Sequence, residues 1–305
     1  MKTTPPGLRT VLVAALLVAA ACSNAPSPSS GGPSGRSTDG APLFSDELAS
    51  VGSTVDGPSG AKGDAASDVV LLDDPSMDLR QWISFTPTLA RAHRVICWNP
   101  RAGDGVAALV ALLDSLGCKR AHVVSCGESA ELALDFALGH AERVRSLVLF
   151  APDLRSLPAS PAMSAHERDL LAAPRGALGT MVAQDPAYLP VGGWDAQLAK
   201  EVAWLVDAHA DAWREVLRQR TARPEADHVD LALLKRWEKV EPPTLVIVSA
   251  NDDVHVGDVA EGLSRTIGGL IIEWLTDGGH FPQLETPAPM LARLDEWLKE
   301  RDAEK

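Results

Sequence analysis

Residues 122–134 read HVVSCGESAELAL. A short apolar run stops at Ser125-Cys126-Gly127-Glu128-Ser129, and an Ala/Leu pattern with helical spacing begins at once. A strand that turns this sharply into a helix can display a nucleophile at the tip of the turn, at the end of a sheet. Such a turn needs small residues two before and two after the tip, because strand and helix approach closely there. Ser125 and Ser129 meet that condition around Gly127. The tip also demands a positive φ, which costs a non-glycine residue on the order of 1–2 kcal/mol. Glycine removes the strain and keeps the turn. It has no side chain with which to attack anything, so the pattern raises the question of which residue, if any, is the nucleophile.

The elements that must position this turn can be read from the surrounding pattern. Apolar runs at 69–74, 94–100, 122–126, 144–152, 244–250 and 270–275 predict buried strands. Helical spacing follows at 77–93, 105–117 and 128–141, and again in a final helix over 289–302 whose Leu291, Leu294 and Leu298 form one stripe. Strand–helix alternation with near-continuous apolar strands predicts an α/β architecture, a mostly parallel sheet covered by helices on both faces. Ligands then sit outside the carboxyl ends of the strands. Residues 154–240 interrupt the alternation with helical patterns alone: a stretch from Ser164 with Glu167 as a capping box, a long one over 194–222 and another over 228–240. This predicts an all-helical lid over the strand ends. Trp194, Trp204, Trp213 and Trp237 fall in it and are expected to pack the lid onto the body.

Four stretches together resemble the α/β-hydrolase family over roughly residues 68–300: LLDSLGCKRAHVV, HAERVRSLVLFAP, PPTLVIVSANDDV and DGGHFPQLETP. The resemblance implies the family order of nucleophile, acid and histidine. It implies that His280, in DGGHFP, is the general base, and that Asp253 is the acid that orients it. Asp252 stands one position early, and Asp153 is a third candidate acid because some members place the acid after that strand. His255 reads as a packing or surface residue. Counting from the flanking motifs on either side lands on Gly127 as the nucleophile position, without a gap. A rival register takes GESA as the elbow and Ser129 as the nucleophile, but Glu131 then stands where a small residue is needed and the register must gain and lose two residues. Cys126 points to the wrong side of the turn.

A second departure agrees with the first. Asp73-Asp74-Pro75 stands where the family has the His-Gly that opens the oxyanion loop. With Glu128 these residues make up the oxyanion region, and a carboxylate there would repel a developing oxyanion. Asn99 replaces a family Asp before a loop that is shortened here.

The bulk properties bound the rest. The formal net charge is −13 and the pI about 5.0, which argues against nucleic-acid partners. Residues 1–21 carry Lys2, Arg9 and an apolar run too short to span a bilayer, and then Ala19, Ala20 and Ala21 precede Cys22. This resembles a bacterial lipoprotein signal with Cys22 lipidated, and it implies an exported, membrane-anchored protein of the cell envelope. Residues 22–66 read as anchor and Pro/Gly/Ser-rich tether. The hydrolase-like core is expected over 67–153 and 241–305, with the lid over 154–240. Cys97, Cys118 and Cys126 are expected as buried free thiols, and no metal or cofactor site is expected. Three functions compete. The first is a non-catalytic domain that binds a small apolar molecule or a partner. The second is a hydrolase of small apolar esters, using Ser129 or water activated by His280 and Asp253. The third is a structural envelope protein with a filled core, which a ligand-sized cavity beneath the lid would oppose.

Overall fold

The computed structural model describes residues 53–56, 67–76, 79–82, 84–100, 103–174, 176–189, 193–194, 196–252 and 254–304. The leader read over 1–21, Cys22 and most of the tether lie outside them. Six strands run parallel: β2 (Asp68–Leu72), β3 (Arg94–Trp98), β4 (Ala121–Cys126), β5 (Val144–Phe150), β6 (Thr244–Ser249) and β7 (Ile271–Leu275). The edge strand β1 (Ser53–Asp56) pairs antiparallel with β3, and the order across the sheet is β1-β3-β2-β4-β5-β6-β7. Strand β1 falls inside the stretch expected to be tether, so the sheet begins before residue 67. Its four residues, STVD, are too few to stand out by periodicity.

Alternation along each strand sends side chains to two cores. Val70, Leu72, Ile96, Trp98, Val123 and Leu149 face one layer of helices, α2 (Val106–Ser115), α3 (Ser129–Gly139) and α8 (Val254–Thr266). Val69, Leu71, Val95, Val124 and Phe150 face the other. That second face is covered by Trp82, Phe85 and the last helix, α9 (Pro287–Ala303), through Met290, Leu294, Trp297 and Leu298. Leu291 of the expected stripe is only partly buried there. The helical spacing over 77–93 resolves into a 3-10 turn, Leu79–Trp82, and a short α1 (Thr86–Leu89). Pro87 stands inside that pattern, where it fits the first turn of a helix but cannot continue one from the residues before.

The lid is helical as expected: α4 (Pro161–Leu171), α5 (Leu178–Val182), α6 (Ala196–Ala208), α7 (Ala210–Thr221) and a 3-10 segment Leu231–Trp237. An isolated bridge between Ala159 and Glu225 ties its two roots together. The capping-box reading at Ser164 is corrected. Helix α4 starts three residues earlier, where Ser160 accepts the Met163 N–H and Pro161 takes the first turn. Ser164 and Glu167 are thereby turned inward and buried. The pattern over 194–222 breaks at His209 into α6 and α7. Trp213 and Trp237 are buried, whereas Trp204 is exposed. Cys97, Cys118 and Cys126 are free and buried. No helix among the described residues is long and apolar enough to cross a membrane.

Candidate active site

The carboxyl end of β4 and the start of α3 form the elbow. Gly127 has φ +56° and is the tip of the turn. Its N–H donates to Phe150 O on the neighbouring strand, 3.0 Å, and its carbonyl accepts from Ala130 and Asp153, both 3.1 Å. Two residues on, at Ser129, the chain is already helical. The backbone therefore holds the strained turn that the sequence predicts, with glycine at the position that needs the positive φ.

The space beside Gly127 is filled by Asp74. A Cβ on Gly127 would stand 3.0 Å from Asp74 Cγ and closer still to Oδ2. The same Oδ2 accepts the Glu128 N–H, 3.0 Å, the amide directly after the tip. In the resemblance drawn above, that amide is one of the two oxyanion donors. Oδ1 accepts the Ser76 N–H at 2.9 Å and the Ser76 hydroxyl. One buried carboxylate thus fills the place of a nucleophile's side chain and also takes up the donor beside it. Asp73, one residue earlier, is fully buried. The loop after β2 is pinned by its N–H to Trp98 O, 3.0 Å.

Ser129 does not face the imidazole. It sits in the first turn of α3, buried, and its hydroxyl lies 2.8 Å from Cys126 O and 3.1 Å from Leu72 O while accepting the Cys126 N–H at 3.2 Å. This is a packing residue that satisfies backbone groups where strand and helix meet. Burial, followed by the carboxylates Asp74, Asp73 and Asp252, pushes the Cys126 thiol far up, away from a reactive thiolate.

His280 follows β7 in the glycine-containing loop and reaches the strand ends as expected. Its acid partner is Asp252: Nδ1 and Oδ1 are 2.8 Å apart. The expectation placed this role on Asp253, which lies outside the described residues, as does the side chain of His255. In the turn after β6, Ser249 accepts the Asn251 N–H and its own hydroxyl meets Gly278 O, which ties the Asp252 loop to the His280 loop. Burial lowers the imidazole, but the Asp252 charge and hydrogen bond outweigh it and leave His280 raised above an ordinary histidine. Tyr188 of the lid meets the imidazole edge to face, ring centroids 4.9 Å apart, and Phe281 stacks on Tyr188 at 5.6 Å. The histidine loop is thereby packed into the apolar core of the lid, with Trp213 beside it.

Two lid arginines complete the site, and sequence reasoning missed both. Arg220, in the last turn of α7, is buried among Glu128 (Nε to Oε1, 2.9 Å), Asp153 (Nε to Oδ2, 3.2 Å), Glu167 (Nη1 to Oε1, 3.3 Å) and Asp74 (Nη2 to Oδ2, 3.9 Å). Arg223 pairs with Glu128 and Asp153, each at 2.7 Å. Asp153, expected as a third candidate acid, is thus bound by arginine and is not the acid that pairs with the imidazole. Burial would raise Asp153, but Arg223 and Arg220 outweigh it and hold it at about 2. Burial dominates at Glu128 and Glu167 and raises both, although Arg220 pulls the other way. The spacing of Arg220 and Arg223 by three puts them on one side of the chain as it leaves the helix, a signal visible in the sequence only to a reader who knew which face was buried.

Three spaces border this cluster. One of about 50 Å³ is lined by Asp153, Met163, Glu167, Arg220, Arg223 and His280, among others. A cleft of about 360 Å³ is lined by Pro75, Pro100, Glu128, Leu132, Ala212 and Val216, among others, between α7, α3 and the loops after β2 and β3. A cell of about 20 Å³ lies between Gly127, Asp74, Arg220 and His280. The cleft is ligand-sized and weighs against a wholly filled structural domain. No group of metal-binding side chains occurs among the described residues.

No protein-family profile matches the chain. A hydrolase of Pseudomonas putida, 2-hydroxy-6-oxononadienedioate/2-hydroxy-6-oxononatrienedioate hydrolase 2, is 31% identical over 105 residues, and the match spans 28% of this chain and 37% of that protein. Solved structures align over most of the chain. An enol-lactonase from Burkholderia xenovorans has a TM-score of 0.60 at 17% identity, covering 81% of this chain and 95% of its own. A carboxylesterase from Bacillus subtilis has 0.61 at 16%, covering 81% and 86%. An α/β hydrolase from a deep-sea metagenome has 0.63 at 16%, covering 81% and 93%. At these identities the likeness is one of fold, and the fold is that of the α/β hydrolases.

Proposed function

We propose that this chain is an exported, lipid-anchored α/β-hydrolase-fold protein that does not form an acyl-serine and acts by binding a small apolar molecule or a partner. The observation that carries the reading is the Asp74 carboxylate against Gly127, on the Glu128 N–H. Acyl transfer needs a hydroxyl at the tip and free donors beside it, and a fixed negative charge at the donors opposes an oxyanion. The 360 Å³ cleft offers a ligand an apolar floor of Pro75, Pro100, Leu132 and Val216. Attachment through Cys22 rests on the leader and the tether composition. It is tested by the mass of the mature N-terminal peptide, with Cys22→Ser as the form that should lose the lipid.

The retained His280–Asp252 pair favours one second reading, a slow hydrolase in which the imidazole activates water directly. Asp74 on the Glu128 amide keeps such a reaction slow.

The test is labelling by a serine-reactive fluorophosphonate, read by peptide mass. The protein should carry Cys22→Ser and lack residues 1–21, so that β1 is kept. The expected result is no adduct on the wild type and an adduct at position 127 once Gly127→Ser is combined with Asp74→Gly. A single wild-type adduct on Ser129, lost in Ser129→Ala, would make the protein a serine hydrolase and end the proposal. Ester turnover without an adduct, lost in His280→Ala, would select the water mechanism.

A further inference from the structure

The cleft and the His280 cell share a wall, and His280 also borders the space of about 50 Å³ beside Asp153 and Glu167. Three chain segments form the shared wall, each giving neighbouring residues to the cleft and the cell. Pro75 lines the cleft, while Asp74 and Ser76 line the cell. Glu128 lines the cleft and Gly127 the cell. Gln219 lines the cleft and Arg220 the cell. Where the second and third segments meet, the Glu128 carboxylate and the Arg220 guanidinium close the wall at 2.9 Å. We propose that the Glu128–Arg220 pair is a side-chain gate that shuts the passage from the outer cleft to the His280–Asp252 pair. The inference goes beyond the binding reading and stands whether or not the site turns over.

Physical features suit the pair to this task. Each partner keeps a second ionic contact when the pair parts. Glu128 retains Arg223 at 2.7 Å, and Arg220 retains Asp153 at 3.2 Å and Glu167 at 3.3 Å. Separation therefore exchanges partners rather than leaving a bare buried charge, which is the expensive outcome for a buried ion pair. The two groups come from different layers, Glu128 from the elbow at the start of α3 and Arg220 from the last turn of α7 in the lid. A small shift of α7 against the core opens the wall without breaking the sheet.

The test follows carbethoxylation of histidines by diethylpyrocarbonate in the Cys22→Ser chain, with each site read by peptide mass. His228, largely exposed, reports reagent activity. His122, fully buried at the base of β4, reports loss of fold. Glu128→Ala removes one wall of the gate and leaves both arginines paired with Asp153. The expected result is a rise of about tenfold in the His280 rate with His122 unchanged, as for a site whose local opening has become easy. Adding Ala212→Trp, which fills the cleft from its exposed lid side, should abolish the rise. An unchanged His280 rate in Glu128→Ala would overturn the gate. So would a rise that survives Ala212→Trp, because the reagent would then be arriving by another path. If Glu128→Ala loses its cooperative thermal transition, the isosteric Glu128→Gln is read in its place, with a few-fold rise supporting the gate and no rise overturning it.

Discussion

Asp74 and Gly127 compete for one volume: the carboxylate of the first lies where any side chain on the second would have to begin. The glycine and the aspartate are therefore coupled substitutions, far apart in sequence and joined only by the fold. Gly127→Ser alone should destabilise the protein by more than the about 1–2 kcal/mol that a positive φ imposes, because Asp74 must also move. Asp74→Gly in the same chain should recover part of the loss. Urea unfolding of the two single variants and the double variant measures the coupling, and simple additivity would contradict it.

The arginine cluster should be the most sensitive polar feature of the lid. Arg220→Ala removes the cation beside Glu167 and Asp74 in a buried setting, with Glu128 left on Arg223, and a loss of about 3–5 kcal/mol is expected. Arg223→Ala should cost less, since Arg220 still meets both Glu128 and Asp153. Denaturant melts of the two variants give the ordering, and equal losses would argue against it.

Stability linked to His280 should depend on pH in a defined direction. Its folded pKa is raised above the unfolded value, after burial and the Asp252 charge are weighed against each other. The contribution is then fully present below the unfolded pKa of about 6.5 and is lost as pH rises through the folded value. Asp252→Asn removes the charge that holds the proton. The thermal midpoint of the wild type should exceed that of Asp252→Asn by more at about pH 6 than at about pH 9. A gap that widens with pH would reverse the assignment.

Ser129→Ala should lower stability by about 1 kcal/mol, since the hydroxyl bridges Leu72 and Cys126 at the strand–helix junction. It should leave any ester turnover unchanged. A loss of turnover with stability intact would restore Ser129 as a nucleophile.

The sequence by itself determined the six parallel strands, though not the edge strand β1, together with the helical lid, the elbow with Gly127 at its tip and the delivery of His280 to the strand ends. These follow from local signals: apolar period, turn chemistry and glycine placement act over a few residues. The tertiary structure decided which neighbour serves. Asp252 meets the imidazole, a contact made by two loops far apart in sequence. Glu167, whose spacing from Ser164 suits a helix cap, serves Arg220 instead, since Ser160 and Pro161 begin the helix earlier. Asp74 was legible as a misfit in an oxyanion loop, but its seat against Gly127 depends on β2 and β4 lying side by side in register. Arg220 and Arg223 carried only their spacing by three, which does not say which face is buried. A charged residue near a helix end reads as solvated surface until the packing of the lid buries it, and only the contacts between distant segments supply the four carboxylates that make the burial tolerable.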